Sequence, residues 1–423
     1  MAESKKMHYA WVILIGCCIW MGVLIGLTMS CIGVFYNPIS IALEIGMADV
    51  ALYSTFLTIA RMVGLPIIGK IMPKVDIRAS LVVIAILMCA GFASLYFINA
   101  KWQLYLVGCV IGLGSGGALY MTAPVLLSAW FKDRLGFAMG VSGASAGIGA
   151  ALFNPVASNL VGVVGWRLSA VIMAAVAFVI IVPMVLLVFR SKPADKGLLP
   201  FGVSEMSSGE AGTKSGAAPA APAATGITAK QAWTTAAFYM IMLVVLAVGF
   251  VGSFQTHMAK FAITVGVEQA QSGFIVSVAG IGAIIAGPLL GVLNDKIGAT
   301  KTTLIFCVVA IIGAAVGIVT GSSIVLAYMS CFLLGAFTAL TTVQLPLLVK
   351  SVFGTKEYSQ ILSRVMSVNS LVVAVSVFLI GLLFDISGDP KTYFGAFVII
   401  IVLCAISAFI VFPLGKASKK LNV

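Results

Sequence analysis

The chain has 423 residues, of which 61% are hydrophobic and only 9% are charged, and its mean hydropathy is +1.17. Because soluble domains carry about 25% charged residues, this composition excludes a water-soluble globular protein as well as a disordered one. Eight cysteines lie almost entirely within apolar runs and form no CxxC pair, which is typical of small buried hydrophobic side chains. The sequence therefore predicts an all-α membrane protein with several spans.

Twelve apolar runs are long enough to cross a bilayer as helices, since a span needs roughly 20 residues. The first run has no small-residue cleavage site, so we interpret it as a span and not as a cleaved signal peptide. The runs lie at 10–35, 48–69, 79–98, 103–130, 137–160, 168–190, 232–258, 270–293, 302–320, 323–349, 360–384 and 393–414.

The formal net charge of +12 is distributed in a way that predicts the orientation in the membrane. With the N-terminus inside, most Lys and Arg residues are cytoplasmic, and the positive-inside rule then puts both termini in the cytoplasm. The basic balance follows from this topology and from attraction to anionic lipid, so nucleic acid is not expected as a partner. The remaining basic residues are Arg61 within a span and four outside: Lys101, Arg167, Lys260 and Lys391.

Residues 191–231 interrupt the apolar pattern with Ser, Gly, Ala and Pro, which predicts a flexible cytoplasmic linker. The linker divides the chain into two six-helix bundles, residues 1–190 and 232–423. A parallel repeat of this kind is typical of a transporter whose site lies at the midplane between the halves. The halves match without gaps at a constant offset of 222 residues: Trp11 with Trp233, Pro66 with Pro288, Gly69 with Gly291, Lys74 with Lys296, Cys109 with Cys331, Pro124 with Pro346, and Phe131 with Phe353.

Two short loops carry a related motif, GVLNDKIGATK after the eighth span and GKIMPKVDIR after the second. In such a loop a glycine permits close helix approach, a carboxylate can face a helix N-terminus, and basic residues anchor at the interface. The first copy has Pro73 in place of the acid and Asp76 in place of the second glycine, so we expect the inner gate to be latched differently in the two halves. The gating residues are Gly69, Lys74 and Arg78 in the first loop and Gly291, Asp295, Lys296, Gly298 and Lys301 in the second.

This spacing resembles the cytoplasmic loop signature of the major facilitator superfamily, G-x-x-x-D-[RK]-x-G-x-x-[RK]. The resemblance implies the major facilitator fold, with twelve transmembrane helices in two pseudo-symmetric six-helix bundles. A narrower likeness is found in WFKDRLGFAMG at 130–140, followed by Gly143, Gly147 and Gly149. That segment is similar to the monocarboxylate porters and the oxalate:formate antiporter group, which implies small carboxylates as the substrate class.

The narrower resemblance also implies site residues. Tyr120 matches a tyrosine that related porters present to substrate from the fourth span. The lysine of the oxalate exchangers aligns with Asn369, and Thr338 and Thr342 stand where those exchangers have aromatic residues. Gly287 replaces a basic residue of related porters. With Asn369 in place of the lysine and the two threonines in place of aromatic residues, the C-terminal cation pair and aromatic cage are absent, which argues against oxalate itself. We expect Asn369, Thr338 and Thr342 to line the C-terminal side of the cavity.

Three basic residues, Arg61, His257 and Lys260, are candidate ligands for an anion. Arg61 lies in FLTIARMVGLP, about 12 Å along the helix from the cytoplasmic end, where a charge costs several kcal/mol unless it faces a cavity or a partner. Its planar guanidinium suits bidentate binding of carboxylate or phosphate; the alternative is an arginine that hydrogen-bonds helix carbonyls or snorkels. His257, near Lys260 at the outer end of the seventh span, can titrate near neutral pH, or is an interfacial residue.

Other chemistry has little support in the sequence. No Asp or Glu falls within a span, which disfavours proton-driven export of cations. GLGSGG at 112–117 satisfies GxGxxG, but it lies within a span and no strand precedes it, so we interpret it as helix packing. The sequence has no HExxH, GxSxG or P-loop lysine, so we expect no enzyme activity, no cofactor and no metal site.

We therefore predict a secondary active transporter that moves a small organic anion, a mono- or dicarboxylate, by alternating access. The absence of an ATP motif points to proton symport or anion exchange. We expect a monomer in a prokaryotic cytoplasmic membrane. Two alternatives stay open: an exporter of hydrophobic or neutral solutes in which Arg61 is structural, and a membrane sensor or interaction protein that does not move solute.

Overall fold

The computed structural model describes residues 7–203, 226–267, 272–320, 323–387 and 392–421. Within these ranges the chain is helical apart from short turns and two isolated β-bridges. Eleven helical runs are long and apolar enough to cross a membrane. The middle of the predicted linker, residues 204–225, lies outside the described residues, as does Lys391.

The N-terminal half begins with four long helices, each separated from the next by a short turn. These helices are α1 (Tyr9–Leu43), α2 (Met47–Ile71), α3 (Ile77–Phe97) and α4 (Lys101–Trp130). α1 contains a π-helical stretch, Trp20–Ser30, and α3 ends in a short 3-10 turn.

The following 54-residue run, Leu135–Val188, consists of two spans that meet at Gly165. The backbone there has φ 80° and ψ 160°, a conformation that is essentially restricted to glycine. Just beyond it Arg167 donates to the carbonyl oxygen of Ile98 at 2.8 Å, at the far end of α3. The run then returns to its starting end, where Trp130 Nε1 donates to the carbonyl oxygen of Arg190 at 3.0 Å. We name these spans α5 (135–164) and α6 (166–188).

The C-terminal half repeats the arrangement with six further helices, so the described residues contain the twelve predicted spans and confirm the all-α fold. The large apolar side chains on the outside of both halves are exposed, as expected for a surface that faces lipid. The helices are α7 (Ala236–Thr264), α8 (Ser272–Ile297), α9 (Ala299–Ile318), α10 (Ile324–Phe353), α11 (Tyr358–Ser387) and α12 (Thr392–Leu421).

The two halves meet along α5 against α8 and α2 against α11. The two motif segments, Gly69–Arg78 and Gly291–Lys301, lie at one end of the bundle, where α1 begins and α12 ends. We call this the signature end, and the other the opposite end. The second segment was predicted as a loop, but the structure continues α8 to Ile297 and leaves only Gly298 between α8 and α9. α4 and α10 each contain one π-helical turn, Gly117–Met121 and Leu340–Gln344. Such turns are rare and are frequent at functional sites.

Both described ends of the predicted linker pack against the helices. Phe201 pairs with the turn after α4, where its N–H donates to the carbonyl oxygen of Trp130 at 2.9 Å and its carbonyl accepts from Lys132 N at 2.9 Å. Its ring also lies 5.5 Å from that of Trp11. At the other end, the N–H of Ile227 donates to the carbonyl oxygen of Phe353 at 3.2 Å. The large side chains at the linker ends explain this docking, since the sequence between them is rich in Ser, Gly and Ala.

Gly165→Ala is expected to lower the thermal stability of the detergent-solubilised protein. A non-glycine residue held in a strained backbone conformation costs about 1–3 kcal/mol. Gly162→Ala is the matched control, because a Cβ atom at either position would meet open space, whereas only Gly165 has a positive φ. Equal melting temperatures of the two variants would contradict the assignment of Gly165 as the turn between two spans.

Candidate functional site: a cavity between the two halves

A cavity of about 630 Å³ lies between α5 of the N-terminal half and α7, α8 and α10 of the C-terminal half. Its volume falls within the range of about 300–1,000 Å³ that is usual for ligand sites. Small residues of α5 and α8 form much of the wall, and all the side chains that line it are uncharged. Its polar groups are Asn154, Gln255, Ser277, Thr338 and Thr342.

Thr338 and Thr342, two of the predicted ligands, both line this cavity. The Thr338 hydroxyl donates to the carbonyl oxygen of Gly335 at 2.7 Å, so the hydroxyl oxygen is left to accept a hydrogen bond from a ligand. Thr342 lies in the π-helical turn of α10. This face of the C-terminal half therefore offers neutral hydrogen-bonding groups on a small-residue wall.

Arg61 and Tyr120, the two predicted ligands of the N-terminal half, contact each other. The Arg61 guanidinium carbon lies 5.8 Å from the centroid of the Tyr120 ring, which is within cation–π distance. Arg61 Nε donates to Ser115 Oγ at 3.0 Å, and the Ser115 hydroxyl donates to the carbonyl oxygen of Gly112 at 2.9 Å. No carboxylate of the described residues forms an ion pair with Arg61.

The internal repeat relates this arginine pair to the cavity wall. The offset of 222 residues places Arg61 opposite Ala283 and Tyr120 opposite Thr342. Both Ala283 and Thr342 line the cavity. Arg61 and Tyr120 therefore occupy the positions of the N-terminal half that correspond to lining positions of the C-terminal half, although they do not line the cavity described above.

Asn369 and His257 lie between α7 and α11, and neither is among the residues that line this cavity. The side chain of Asn369 is buried against Gly249, and its Oδ1 has no hydrogen-bond partner in the described part of the chain. His257 Nε2 lies 3.2 Å from the carbonyl oxygen of Val377, near the opposite end. Sequence position alone did not show that Asn369 packs at the contact of α11 with α7, whereas the described cavity is lined by α5, α7, α8 and α10.

The signature end is closed by close contact between α5 and α8. A Cβ atom on Gly136 or Gly291 would collide with the backbone of the other helix, and Gly140 and Gly287 approach each other in the same way. Asp295 then reaches the first turn of α5, where its carboxylate accepts from Gly136 N at 2.7 Å and Phe137 N at 2.9 Å. A carboxylate at a helix N-terminus satisfies free N–H groups and the positive end of the helix dipole.

The first copy of the motif makes different contacts. Gly69 packs directly on Ser363 of α11. Asp76 remains within its own loop, where it accepts from Arg78 N at 2.9 Å and forms an ion pair with the Arg78 side chain at 3.3 Å. A carboxylate thus joins α8 to α5, whereas glycine–serine packing joins α2 to α11. Four further gating residues, Lys74, Lys296, Gly298 and Lys301, are exposed, and Gly298 caps the N-terminus of α9 with φ 83°.

Two contacts between the halves were missed from the sequence. Lys350 Nζ donates to the carbonyl oxygen of Ser128 at 3.1 Å, and Ser367 Oγ donates to that of Met62 at 2.6 Å. In the sequence Lys350 resembles any other cytoplasmic charge, and its repeat partner Ser128 gives no sign of the contact. Among the described residues, no three His, Cys, Asp or Glu side chains are grouped as metal ligands would be.

Comparison with known proteins identifies the family. The sequence profile of the Major Facilitator Superfamily matches residues 18–349 and 258–422. Monocarboxylate transporter 12 of Xenopus laevis is 23% identical over 418 residues, which cover 93% of this chain and 88% of that protein. The chain therefore belongs to the Major Facilitator Superfamily.

Solved structures of the superfamily share the fold over the full length. The proton:xylose symporter XylE, bound to 6-bromo-6-deoxy-D-glucose, superposes with a TM-score of 0.75 at 12% identity, covering 98% of this chain and 99% of that one. The fucose:proton symporter FucP of E. coli gives 0.70 at 13% identity, covering 96% and 99%. This protein is thus a multi-pass membrane transporter for a small molecule and not an enzyme.

Asp295→Asn is expected to favour opening of the signature end. Hydrogen bonds to a charged group contribute about 1.5–3 kcal/mol. Loss of about 1.4 kcal/mol of this stabilisation shifts the equilibrium between the closed and open signature end roughly tenfold toward the open state. The measurement is the distance between spin labels at Lys74 and Lys301, in protein whose native cysteines have been replaced.

Asp133→Asn is the control, because Asp133 is a neighbouring carboxylate that pairs only locally with Arg134 in the described contacts. Identical distance distributions for Asp295→Asn and Asp133→Asn would show that the Asp295 carboxylate does not hold the two halves together.

Proposed function

We propose that this transporter moves a small organic anion, a mono- or dicarboxylate, by alternating access, as a proton symporter or an anion exchanger. The observation that carries the proposal is the Arg61 guanidinium, which is held by Ser115 and Tyr120 with no ion-pair partner among the described carboxylates. A cation within a membrane span is costly unless it has a partner. A bound carboxylate would supply the missing negative charge.

Among the described residues, the hydrogen bond of the Arg61 guanidinium is made through Nε, which leaves its terminal amino groups available. Arginine has five N–H donors, of which the Nε donor is engaged by Ser115. This bond fixes the plane of the guanidinium, so that both Nη groups are free to form the parallel pair of hydrogen bonds that a carboxylate accepts. The Tyr120 hydroxyl adds a further donor beside the same anion.

Transport follows when the anion also contacts the C-terminal half. Thr338 and Thr342 line its wall, and a ligand that touches both halves stabilises the occluded state over the open one. The closed signature end, with Asp295 on α5, then represents the state that is shut toward the cytoplasm. In symport the proton is carried by the substrate or by His257, and Asn369 orients α11 against α7.

The cellular setting of the proposal follows from charge and resemblance. The excess of Lys and Arg at the signature end supports cytoplasmic termini, and we propose a monomer in a prokaryotic cytoplasmic membrane. The named activity of the Xenopus relative, monocarboxylate transport, supports a carboxylate as the substrate class.

The uncharged lining of the cavity favours a second function, export of a hydrophobic or neutral solute. In that case Arg61 has a structural role and holds α2 against α4 through Ser115. The two functions differ in one property, the dependence of binding on the Arg61 charge.

Arg61→Gln is expected to abolish the stabilisation of the purified protein by carboxylates. A ligand at a hundredfold excess over its dissociation constant stabilises the folded protein by about 2.7 kcal/mol, and removing one partner of a buried charge pair costs about 2–5 kcal/mol of binding. The measurement is a thermal-shift screen against small mono- and dicarboxylates.

Arg134→Gln serves as the matched control, since Arg134 is exposed and pairs with Asp133. Arg61→Lys retains the charge without the planar fork and is expected to bind weakly. Equal stabilisation of wild type and Arg61→Gln, or no stabilisation of wild type by any acid, would favour the exporter of neutral solutes.

A further inference from the structure

The face of α8 toward the cavity has Gly280 at its centre. Successive residues of an α-helix are about 100° apart, so Val276, Gly280, Ala283 and Gly287 form one stripe, and all four line the cavity. The repeat partner of Gly280 is Thr58 on α2. The fold therefore accepts a larger side chain at the equivalent position, and the glycine at 280 is not a requirement of the repeat.

Most glycines around the cavity are required by packing. A Cβ atom on Gly143 would lie 3.1 Å from Thr342 Oγ1, and one on Gly147 would lie 2.6 Å from Ile284. A Cβ atom on Gly287 would lie 2.9 Å from the carbonyl oxygen of Gly140. Larger residues at these three positions would push helices apart, which densely packed interiors do not tolerate.

Gly280 differs from these glycines because a Cβ atom there would meet nothing within 4 Å. Since Gly280 lies in the middle of the lining stripe, this open space is the cavity itself. The size of the side chain at position 280 therefore changes the volume available to a ligand without disturbing a helix contact. Replacement of glycine within a helix also improves helix propensity, so a larger residue should not weaken the fold.

The two halves differ in charge at repeat-related positions. The repeat position that holds Arg61 on α2 holds Ala283 on α8, and Tyr120 on α4 corresponds to Thr342 on α10. Arg61 does not line the cavity, so a ligand must extend from the cavity to the guanidinium to contact both the cation and the neutral wall of α8. A cavity of about 630 Å³ leaves room for more than a carboxylate group alone.

We propose that Gly280 is a specificity-determining residue that sets how large the uncharged body of the substrate can be. The substrate is then an organic acid whose carboxylate faces Arg61 and whose bulky uncharged part, such as an aryl or branched alkyl group, lies against α8 beside Gly280. The orientation of the carboxylate rests on the proposed function, whereas size selection by Gly280 rests on the cavity alone.

The test compares probes of increasing size: acetate, phenylacetate, naphthylacetate and the neutral phenylacetamide. Binding is measured by thermal shift, and transport by competition for uptake into proteoliposomes. The variants are Gly280→Leu, Gly280→Ala and the control Gly395→Leu. Gly395 lies on the exposed surface of α12, and a Cβ atom there also meets open space.

Gly280→Leu is expected to weaken naphthylacetate binding at least about tenfold, because filling a well-packed site forces the ligand or the wall to shift. Acetate binding should change less than about twofold, Gly280→Ala should be intermediate for naphthylacetate, and Gly395→Leu should resemble wild type. Equal weakening of acetate and naphthylacetate would overturn the proposal. If Gly280→Ala weakened naphthylacetate binding as much as Gly280→Leu, the site would need glycine flexibility and not space, which would also overturn the proposal. Failure of every probe to bind wild type would overturn it as well.

The Arg61→Gln variant separates this proposal from the assignment of an anionic substrate. If phenylacetamide binds as tightly as phenylacetate and Arg61→Gln changes neither, the substrate is not recognised as an anion. If Gly280→Leu still weakened binding of the large probes more than that of the small ones in the same experiment, size selection by Gly280 would stand without an anionic substrate. If Arg61→Gln loses binding of the acids but keeps binding of phenylacetamide, and Gly280→Leu discriminates by probe size, both the anionic substrate and size selection by Gly280 are supported.

Discussion

The close approach of α5 and α8 at the signature end is the constraint on which the rest of the structure depends. Within lipid the hydrophobic effect does not drive helices to associate, so they are held together by van der Waals packing and polar contacts. The pairs Gly136–Gly291 and Gly140–Gly287 bring the two backbones together, and this brings Asp295 to the first turn of α5. The cavity opens just beyond these pairs, where Gly287 also forms part of its wall.

The repeat produces a symmetric scaffold, and the differences between its copies give the two halves distinct roles. The paired π-helical turns of α4 and α10 are common to both halves. Arg61, by contrast, corresponds to Ala283, so this pair of equivalent positions holds a cation in one half and a small apolar residue in the other. The signature motif differs in the same way, because Pro73 removes the acid that Asp295 supplies in the second copy. The N-terminal half thus contains the buried arginine that we propose as the anion ligand, and the C-terminal half contains the neutral wall residues and the carboxylate that contacts α5.

The sequence predicted the fold, and two of the residues it proposed as ligands, Thr338 and Thr342, line the cavity. Hydropathy and charge are sufficient for the spans because the bilayer forces every backbone group into helices, and the constant offset of 222 residues predicted the two halves. The contact of Arg61 with Tyr120 could not be predicted, since it depends on how α2 packs on α4. The burial of Asn369 against Gly249 and the contact of Lys350 with Ser128 were also missed, because a hydropathy pattern does not specify helix rotation or which carbonyl a lysine reaches.

Counterflow in proteoliposomes tests the central claim, that the cavity carries an organic anion across the membrane by alternating access. Vesicles are preloaded with an unlabelled carboxylate identified by thermal shift and diluted into a trace of the labelled one. A carrier that exposes one site to each side in turn produces a transient accumulation of label in the absence of any ion gradient. We expect this overshoot in wild type and its loss in Arg61→Gln. Entry of label that rises linearly with concentration and shows no overshoot would contradict it.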